Sequence, residues 1–319
     1  MGGVLLAIGL VLASGAEAGA EGIMVTLGTA TPGGGFPVYG DALAQVINEV
    51  DPALEMRTRN TKGSTENVPL LEAGQLDLAL VQGEVAHEAL SGVGRAPSKL
   101  LIFTAMYTTP GMFVVRGDQP MRSIADLKGK PVVWGARGSG LVVLARYVLD
   151  GLGLDMERDF QSSYLDRAGD GPAMVQDGRA AALWGGGTGW PGFTTVARGP
   201  QGARFIAPSA EERARIQAKH PFLKTMSIPA GSYPGQSEPI VSVGSWSFVL
   251  VRPDLPEEPC TGSPAPCIGV SRSLPPVCPR DTKPPRPTPS PPLRAQISSI
   301  PARGATSERS DSSLKEVSP

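Results

Sequence analysis

Leu54-Glu55-Met56-Arg57-Thr58-Arg59, followed by Asn60-Thr61-Lys62-Gly63-Ser64-Thr65-Glu66-Asn67 and then Val68-Pro69-Leu70-Leu71, reads as a strand, a polar glycine turn and the start of a helix. Ser64 or Thr65 suits the N-cap, because a hydroxyl there can accept from an amide that the first helical turn leaves unpaired. Gly63 allows the backbone to come close to a ligand. Met56 and the apolar helix positions Val68, Leu70 and Leu71 can bury one face between helix and sheet.

The same order appears on either side. Upstream, the apolar run from Ile23 to Leu27 leads into Gly28-Thr29-Ala30-Thr31-Pro32-Gly33-Gly34-Gly35. A helical pattern follows, with Ala42, Leu43, Val46, Ile47 and Val50 on one face. Downstream, Leu76-Asp77-Leu78-Ala79-Leu80-Val81 is a buried-type strand that emerges at Gln82-Gly83-Glu84. Strands alternating with helices imply a mainly parallel sheet, whose ligands collect at the carboxyl ends of the strands. A plain glycine turn explains each loop alone; three such turns at adjacent strand ends point to one site.

A second half repeats this order. Pro131-Val132-Val133-Trp134 runs into Gly135-Ala136-Arg137-Gly138-Ser139-Gly140, and Leu141, Val142, Leu144, Ala145, Val148, Leu149 and Leu152 continue as a helix. Later, Ala180-Ala181-Ala182-Leu183-Trp184 ends at Gly185-Gly186-Gly187. The two halves therefore read as two lobes of one α/β design with a central cleft. Phe113-Val114-Val115-Arg116 and Phe248-Val249-Leu250-Val251-Arg252 are the candidate crossings between them, the geometry of a hinge. The expected division is residues 21–115 with 240–258 for the first lobe and 116–239 for the second.

Composition narrows the function. The chain has 319 residues, 41% of them hydrophobic, enough for a substantial core. Its 29 basic and 30 acidic side chains give no positive field for nucleic acid, and no nucleic-acid partner is expected. Residues 1–20 combine a short apolar run with small residues, the pattern of a secretory signal peptide without its usual basic start; a buried strand is the other reading. Cys260, Cys267 and Cys278 all lie near the C-terminus, so disulfides are not expected to hold the body together.

After Leu255-Pro256-Glu257-Glu258 the character changes, and residues 259–319 hold nearly half of the chain's 32 prolines. Proline at that density reads as a disordered tail. A second reading is a shift of frame near Glu258. With suitable synonymous codons, residues 259–269 taken from each third base give Leu-Tyr-Arg-Leu-Ala-Arg-Ala-Leu-His-Arg-Gly, an amphipathic helix closing on glycine.

No catalytic machinery is legible. His87 and His220, the only histidines, lack a nearby nucleophile and carboxylate pattern, and the glycine order from Gly135 to Gly140 does not fit a dinucleotide fingerprint. No cofactor, metal ligand set or catalytic residue is expected. The run from Tyr164 to Gly171 reads either as a charged edge of the cleft or as a solvated loop. Trp184 and Trp190 could wall a pocket or pack in the core, with Trp184 the better cleft candidate because it ends a strand.

Together these stretches resemble the TAXI family of solute-binding proteins of TRAP transporters. The likeness rests on residues 33–40, Gly63-Ser64-Thr65-Glu66-Asn67, residues 76–82 and 135–140, and Asp126-Leu127-Lys128-Gly129-Lys130. It also rests on Ile228-Pro229-Ala230-Gly231-Ser232-Tyr233-Pro234-Gly235-Gln236 and Arg252-Pro253-Asp254-Leu255-Pro256. The resemblance implies a periplasmic receptor with a type II binding-protein fold, which delivers an organic acid or amino acid such as glutamate to TRAP permease subunits. It implies ligand contacts near Gly34, Gly35, Ser64, Gln82, Gly138 and Ser139. Tyr39, Thr65, Arg137, Trp184 and Gly186 complete the candidate site. Phe36-Pro37-Val38-Tyr39 departs from the family's tyrosines followed by proline, which bears on ligand identity. A similar receptor for an ABC importer of the nitrate or thiamine-precursor type, and an exported enzyme on this fold, are the alternatives.

Overall fold

A computed structural model describes residues 23–255; the expected signal peptide and the proline-rich tail lie outside the described residues. Strands β1 (Ile23–Gly28), β2 (Leu54–Arg59) and β3 (Leu78–Gln82) alternate with helices α1 (Gly35–Val50), α2 (Ser64–Glu72) and α3 (Gly83–Ser91). β1 runs parallel to β2, with Ile23 opposite Leu54 and Gly28 opposite Arg59, and parallel to β3. All five residues of β3 are buried, as a strand covered by helices on both faces must be. On one face α1 covers Val25, Leu27 and Leu80; on the other, α2 and α3 pack Val68, Leu71 and Val85 on Ala79 and Val81.

The second lobe holds β5 (Pro131–Ala136), β6 (Gln161–Leu165) and β7 (Ala182–Gly186) in parallel, together with β8 (Ala203–Ile206). Helices α4 (Gly140–Leu152), α5 (Met156–Asp159), α6 (Gly171–Gln176), α7 (Pro191–Ala197) and α8 (Ala210–Lys219) surround them. Its centre is aromatic: Phe113 meets Trp184 and Trp134 edge to face, with centroids 4.7 and 5.6 Å apart.

Two long strands belong to both lobes. β4 (Leu101–Arg116) pairs with β10 (Ile240–Val251) through Pro110 opposite Gly244, and from Gly111 onward it pairs with β7. β10 pairs with β9 (Lys224–Ile228) up to Gly244 and with β3 from Ser247. Pro110 has no amide to give a ladder and stands where β4 changes partners, a position that tolerates proline. β4 starts well before Gly111 and β10 well before Phe248; their outer halves alternate irregularly with exposed residues, which hid them from a hydrophobic reading.

The path β2-β1-β3-β10-β4-β7-β5-β6, with β4 and β10 crossing, is the two-lobed type II periplasmic-binding-protein-like fold. Asp77 locks the far end of the first lobe. Its carboxylate accepts from the Thr26 amide at 2.8 Å and from the Arg252 guanidinium at 2.9 and 3.1 Å, tying β3 to the end of β10. Among the described residues no helix is long and apolar enough to cross a membrane.

Candidate functional site

The carboxyl ends of β1, β2 and β3 face the turn after β5 and the segment after β6. The first loop is fixed from below by Thr29. Its carbonyl accepts from Asn67 Nδ2 at 2.8 Å and from Thr61 Oγ1 at 3.2 Å, so the first and second turns are one hydrogen-bonded unit. Thr31 Oγ1 then accepts from the Ala168 amide at 3.2 Å, and the Pro32 carbonyl accepts from the Gly169 amide at 3.3 Å. The run after β6 therefore meets the first loop across the cleft.

The second turn closes on the second lobe. Gly63, not Ser64 or Thr65, occupies the N-cap of α2, with φ of 115°. That left-handed conformation, with the Gly138 carbonyl 2.8 Å from where a Cβ would stand, admits only glycine. Ser64 instead begins the helix, and its hydroxyl accepts from the Gln82 amide at 3.0 Å. The Thr65 amide and hydroxyl both donate to the Gly138 carbonyl, at 3.2 and 3.0 Å.

The third turn carries Gln82, buried, with no partner for its Nε2. Gly140, the first residue of α4, lies directly above it: a Cβ there would come within 2.5 Å of Gln82 Cβ and 2.9 Å of Ser64 Oγ. Ser139 caps α4 by accepting from the Leu141 amide at 3.1 Å. The helices α1, α2 and α3 have no side-chain cap at their N-termini. Uncapped amides and the positive end of the helix dipole favour an anion.

Gly34, Gly35, Ser64, Thr65, Gln82, Gly138 and Ser139 thus stand around one junction between the lobes. Tyr39 reaches it only through Tyr107, which it meets edge to face at 5.6 Å. Burial raises the Tyr107 phenol above its usual range, so this hydroxyl keeps its proton and can donate. Arg137 is exposed, its guanidinium held 4.3 Å above the Tyr164 ring. Gly186 sits inside the β4–β7 ladder opposite Gly111 and faces the strand crossing.

Trp184 is a core residue, contrary to expectation. It is fully buried, edge to face with Phe113, and its indole N–H donates to the Leu141 carbonyl at 2.8 Å. β7 runs on to Gly186, so Trp184 is a mid-strand residue and not the strand's last, and its ring packs into the lobe. Trp190 is the tryptophan at the junction: its ring lies 3.6 Å from where a Cβ on Gly35 would stand, and the Tyr107 hydroxyl 3.4 Å. Its backbone amide is anchored by donating to the Tyr233 hydroxyl oxygen at 3.1 Å. Tyr107 went unread because nothing in its spacing distinguishes it from an ordinary strand residue. Thr31 and Ala168 lie in the first turn and in the run from Tyr164 to Gly171, the latter read as either a cleft edge or a solvated loop, and they meet across the cleft.

Among the described residues no cluster of histidine, cysteine, aspartate or glutamate could hold a metal ion. What the arrangement offers is donors: backbone amides, hydroxyls and one unpartnered carboxamide, with no nucleophile and base in contact.

Two crossing strands, parallel sheets on each side and turns that meet between them define the periplasmic-binding-protein-like class of two-lobed proteins. Within it, the chain belongs to the NMT1-like family, which it matches over residues 27–260. Among solved structures, a protein of Bordetella bronchiseptica RB50 is 13% identical, with a TM-score of 0.50 over 73% of this chain and 64% of that one. The alkanesulfonate-binding protein SsuA from Xanthomonas axonopodis pv. citri is 21% identical, with a TM-score of 0.42 over 59% of this chain. The periplasmic aliphatic sulphonate-binding protein SsuA from Escherichia coli is 18% identical, with a TM-score of 0.42 over 73% of this chain. The chain spans 61% of the Xanthomonas protein and 65% of the Escherichia coli one.

Proposed function

We propose that this chain is an extracytoplasmic solute receptor that closes its lobes on a small carboxylate or amino acid and hands it to a membrane permease, without chemistry. The observation that carries this reading is the meeting of the uncapped N-termini of α1, α2 and α3 with the capped start of α4 from the other lobe. An anion at the uncapped helix starts of the first lobe gains contacts from the Gly138–Gly140 turn of the second only when the lobes are together, which is the differential affinity that closure needs. The polar site without catalytic groups favours binding over an enzyme.

The TAXI resemblance supports a TRAP permease as partner and a glutamate-like ligand. Membership of the NMT1-like family suits a receptor for an ABC importer equally well. Neighbouring genes separate the two: a fused multispan permease supports the first, an ATPase the second.

A thermal-shift screen of the full chain against amino acids, dicarboxylates and alkanesulfonates tests the binding reading. A ligand present at about a hundred times its Kd stabilises by about 2.7 kcal/mol, a rise of several degrees. If none of these anions raises Tm, the anion-receptor reading fails.

A further inference from the structure

Among the described residues, Glu84 is the only aspartate, glutamate, lysine or arginine that is buried, with 0% exposure. It is the second residue of α3, and the elements around it belong to both lobes. Gly83 just before it lies against β10 at the crossing, where a Cβ would stand 2.3 Å from Ser245 Oγ. Neither Glu84 carboxylate oxygen has a hydrogen-bond partner, and neither does Gln82 Nε2 two residues earlier.

The nearby charges are already engaged. On its own helix, Glu88 accepts from the Tyr147 hydroxyl at 2.9 Å and from Arg146 Nη2 at 2.6 Å, both on α4 of the second lobe. His87 stacks on Phe222 of the second lobe with centroids 4.2 Å apart, and its Nδ1 lies 3.4 Å from Ser91 Oγ. β3 presents the Gln82 carboxamide and β10 the Ser245 hydroxyl, neither of them charged. No cation therefore compensates Glu84. Burial pushes its carboxyl up to about 7; Ser245, its own amide and Gln82 oppose this, and the charge of Glu88 adds to it. An ionised carboxylate without partners is strongly disfavoured in such a place, so the contacting lobes hold the neutral acid.

We propose that Glu84 couples lobe closure to proton uptake: the closed form holds a neutral acid, and opening about the β4–β10 crossing admits water and lets it ionise. Its consequence for ligand release rests on the receptor reading above; the coupling itself belongs to the unliganded chain. The direction follows from linkage. Below the ordinary glutamate value of 4.5 the acid is neutral in both forms. Between 4.5 and about 7, closing takes up a proton, and the ratio of closed to open falls with rising pH by up to about tenfold per unit. Above that window both forms are ionised and the ratio levels off.

The experiment places spin labels at the exposed positions Glu49→Cys on α1 and Glu211→Cys on α8 of the full chain, with Cys260, Cys267 and Cys278 changed to serine. Pulsed electron paramagnetic resonance then reads the distance between the lobes at about pH 5 and about pH 8, without ligand. The expected result is a closed-to-open ratio at least about tenfold higher at the acidic value, and no such change in Glu84→Gln. Distances that ignore pH, or an equal response in Glu84→Gln, overturn the proposal. If Glu84→Gln does not fold, carboxyl-carbon NMR of the unchanged chain decides: one glutamate titrating near 7 supports it, and none above the ordinary range overturns it. A failed ligand screen beside a positive result here removes the receptor reading alone.

Discussion

Thr65 holds Gly138 across the cleft with two donors on one acceptor, its amide at 3.2 Å and its hydroxyl at 3.0 Å from the same carbonyl oxygen. The donors start α2 in one lobe, and the acceptor precedes α4 in the other. Thr65→Val keeps the shape and the amide but removes the hydroxyl. A net hydrogen bond contributes about 1 kcal/mol, so ligand affinity is expected to fall roughly fivefold. Isothermal titration against any ligand found by thermal shift measures this. An unchanged Kd would show that the contact does not belong to the ligand-holding form.

Gly140→Ala is the more severe test of closure. A methyl there meets Gln82 Cβ at 2.5 Å and Ser64 Oγ at 2.9 Å, both in the opposite lobe. Within its own lobe the change is harmless, since alanine favours a helix over glycine by up to about 1 kcal/mol. The unliganded Tm should therefore stay or rise, while binding weakens at least about tenfold as the lobes are held apart. Loss of Tm with affinity intact would place Gly140 inside a lobe core instead.

Much of this fold could be read from the chain because the alternation of strand, glycine turn and helix is a local signal. The turns at Gly63, Gln82 and Gly138 announced themselves through residue types that few other structures need. Tertiary direction was not legible. Trp184 lies within β7 with its ring in the lobe interior, whereas Trp190 stands at the N-cap of α7 with its ring toward Gly35 at the junction, and neither direction follows from the residue's place in the sequence. Glu84 was invisible for another reason: a carboxylate in the first turn of a helix is ordinary on a surface, where it complements the dipole. Here α3 is packed among β3, β10, α2 and α4, and the carboxylate is buried.

The burial of Trp184 gives its own prediction. Its ring fills the space between Phe113 and Trp134, and its indole N–H satisfies the Leu141 carbonyl. Trp184→Ala should lower unfolding stability by roughly 3–5 kcal/mol, the range for an aromatic removed from a core. Urea unfolding followed by circular dichroism reads this directly. A loss below about 1 kcal/mol, with ligand affinity reduced, would return Trp184 to the cleft wall.

Stability against pH should separate Glu84 from the other carboxylates. Asp150, paired with Lys219 and His220, has its carboxyl held below the usual range by the Lys219 hydrogen bond first. Such a group contributes stability above its ordinary value, lost as the medium becomes acidic. Glu84 acts in the opposite sense. Its raised folded-state value means that stability is fully present below 4.5 and is lost as pH rises through about 7. The loss reaches at most about 3 kcal/mol, the free energy of a shift this size, and is smaller to the extent that the folded chain opens and solvates the carboxylate. In Glu84→Gln no proton is released, so the alkaline limb should disappear while the acid limb from Asp150 remains. Denaturant unfolding of both chains across this range makes the comparison: curves that coincide near pH 4 and diverge to a constant gap above about pH 7, with the glutamine chain the more stable, are expected. Parallel curves would mean that Glu84 is solvated in the folded chain and ionises there as it does in water.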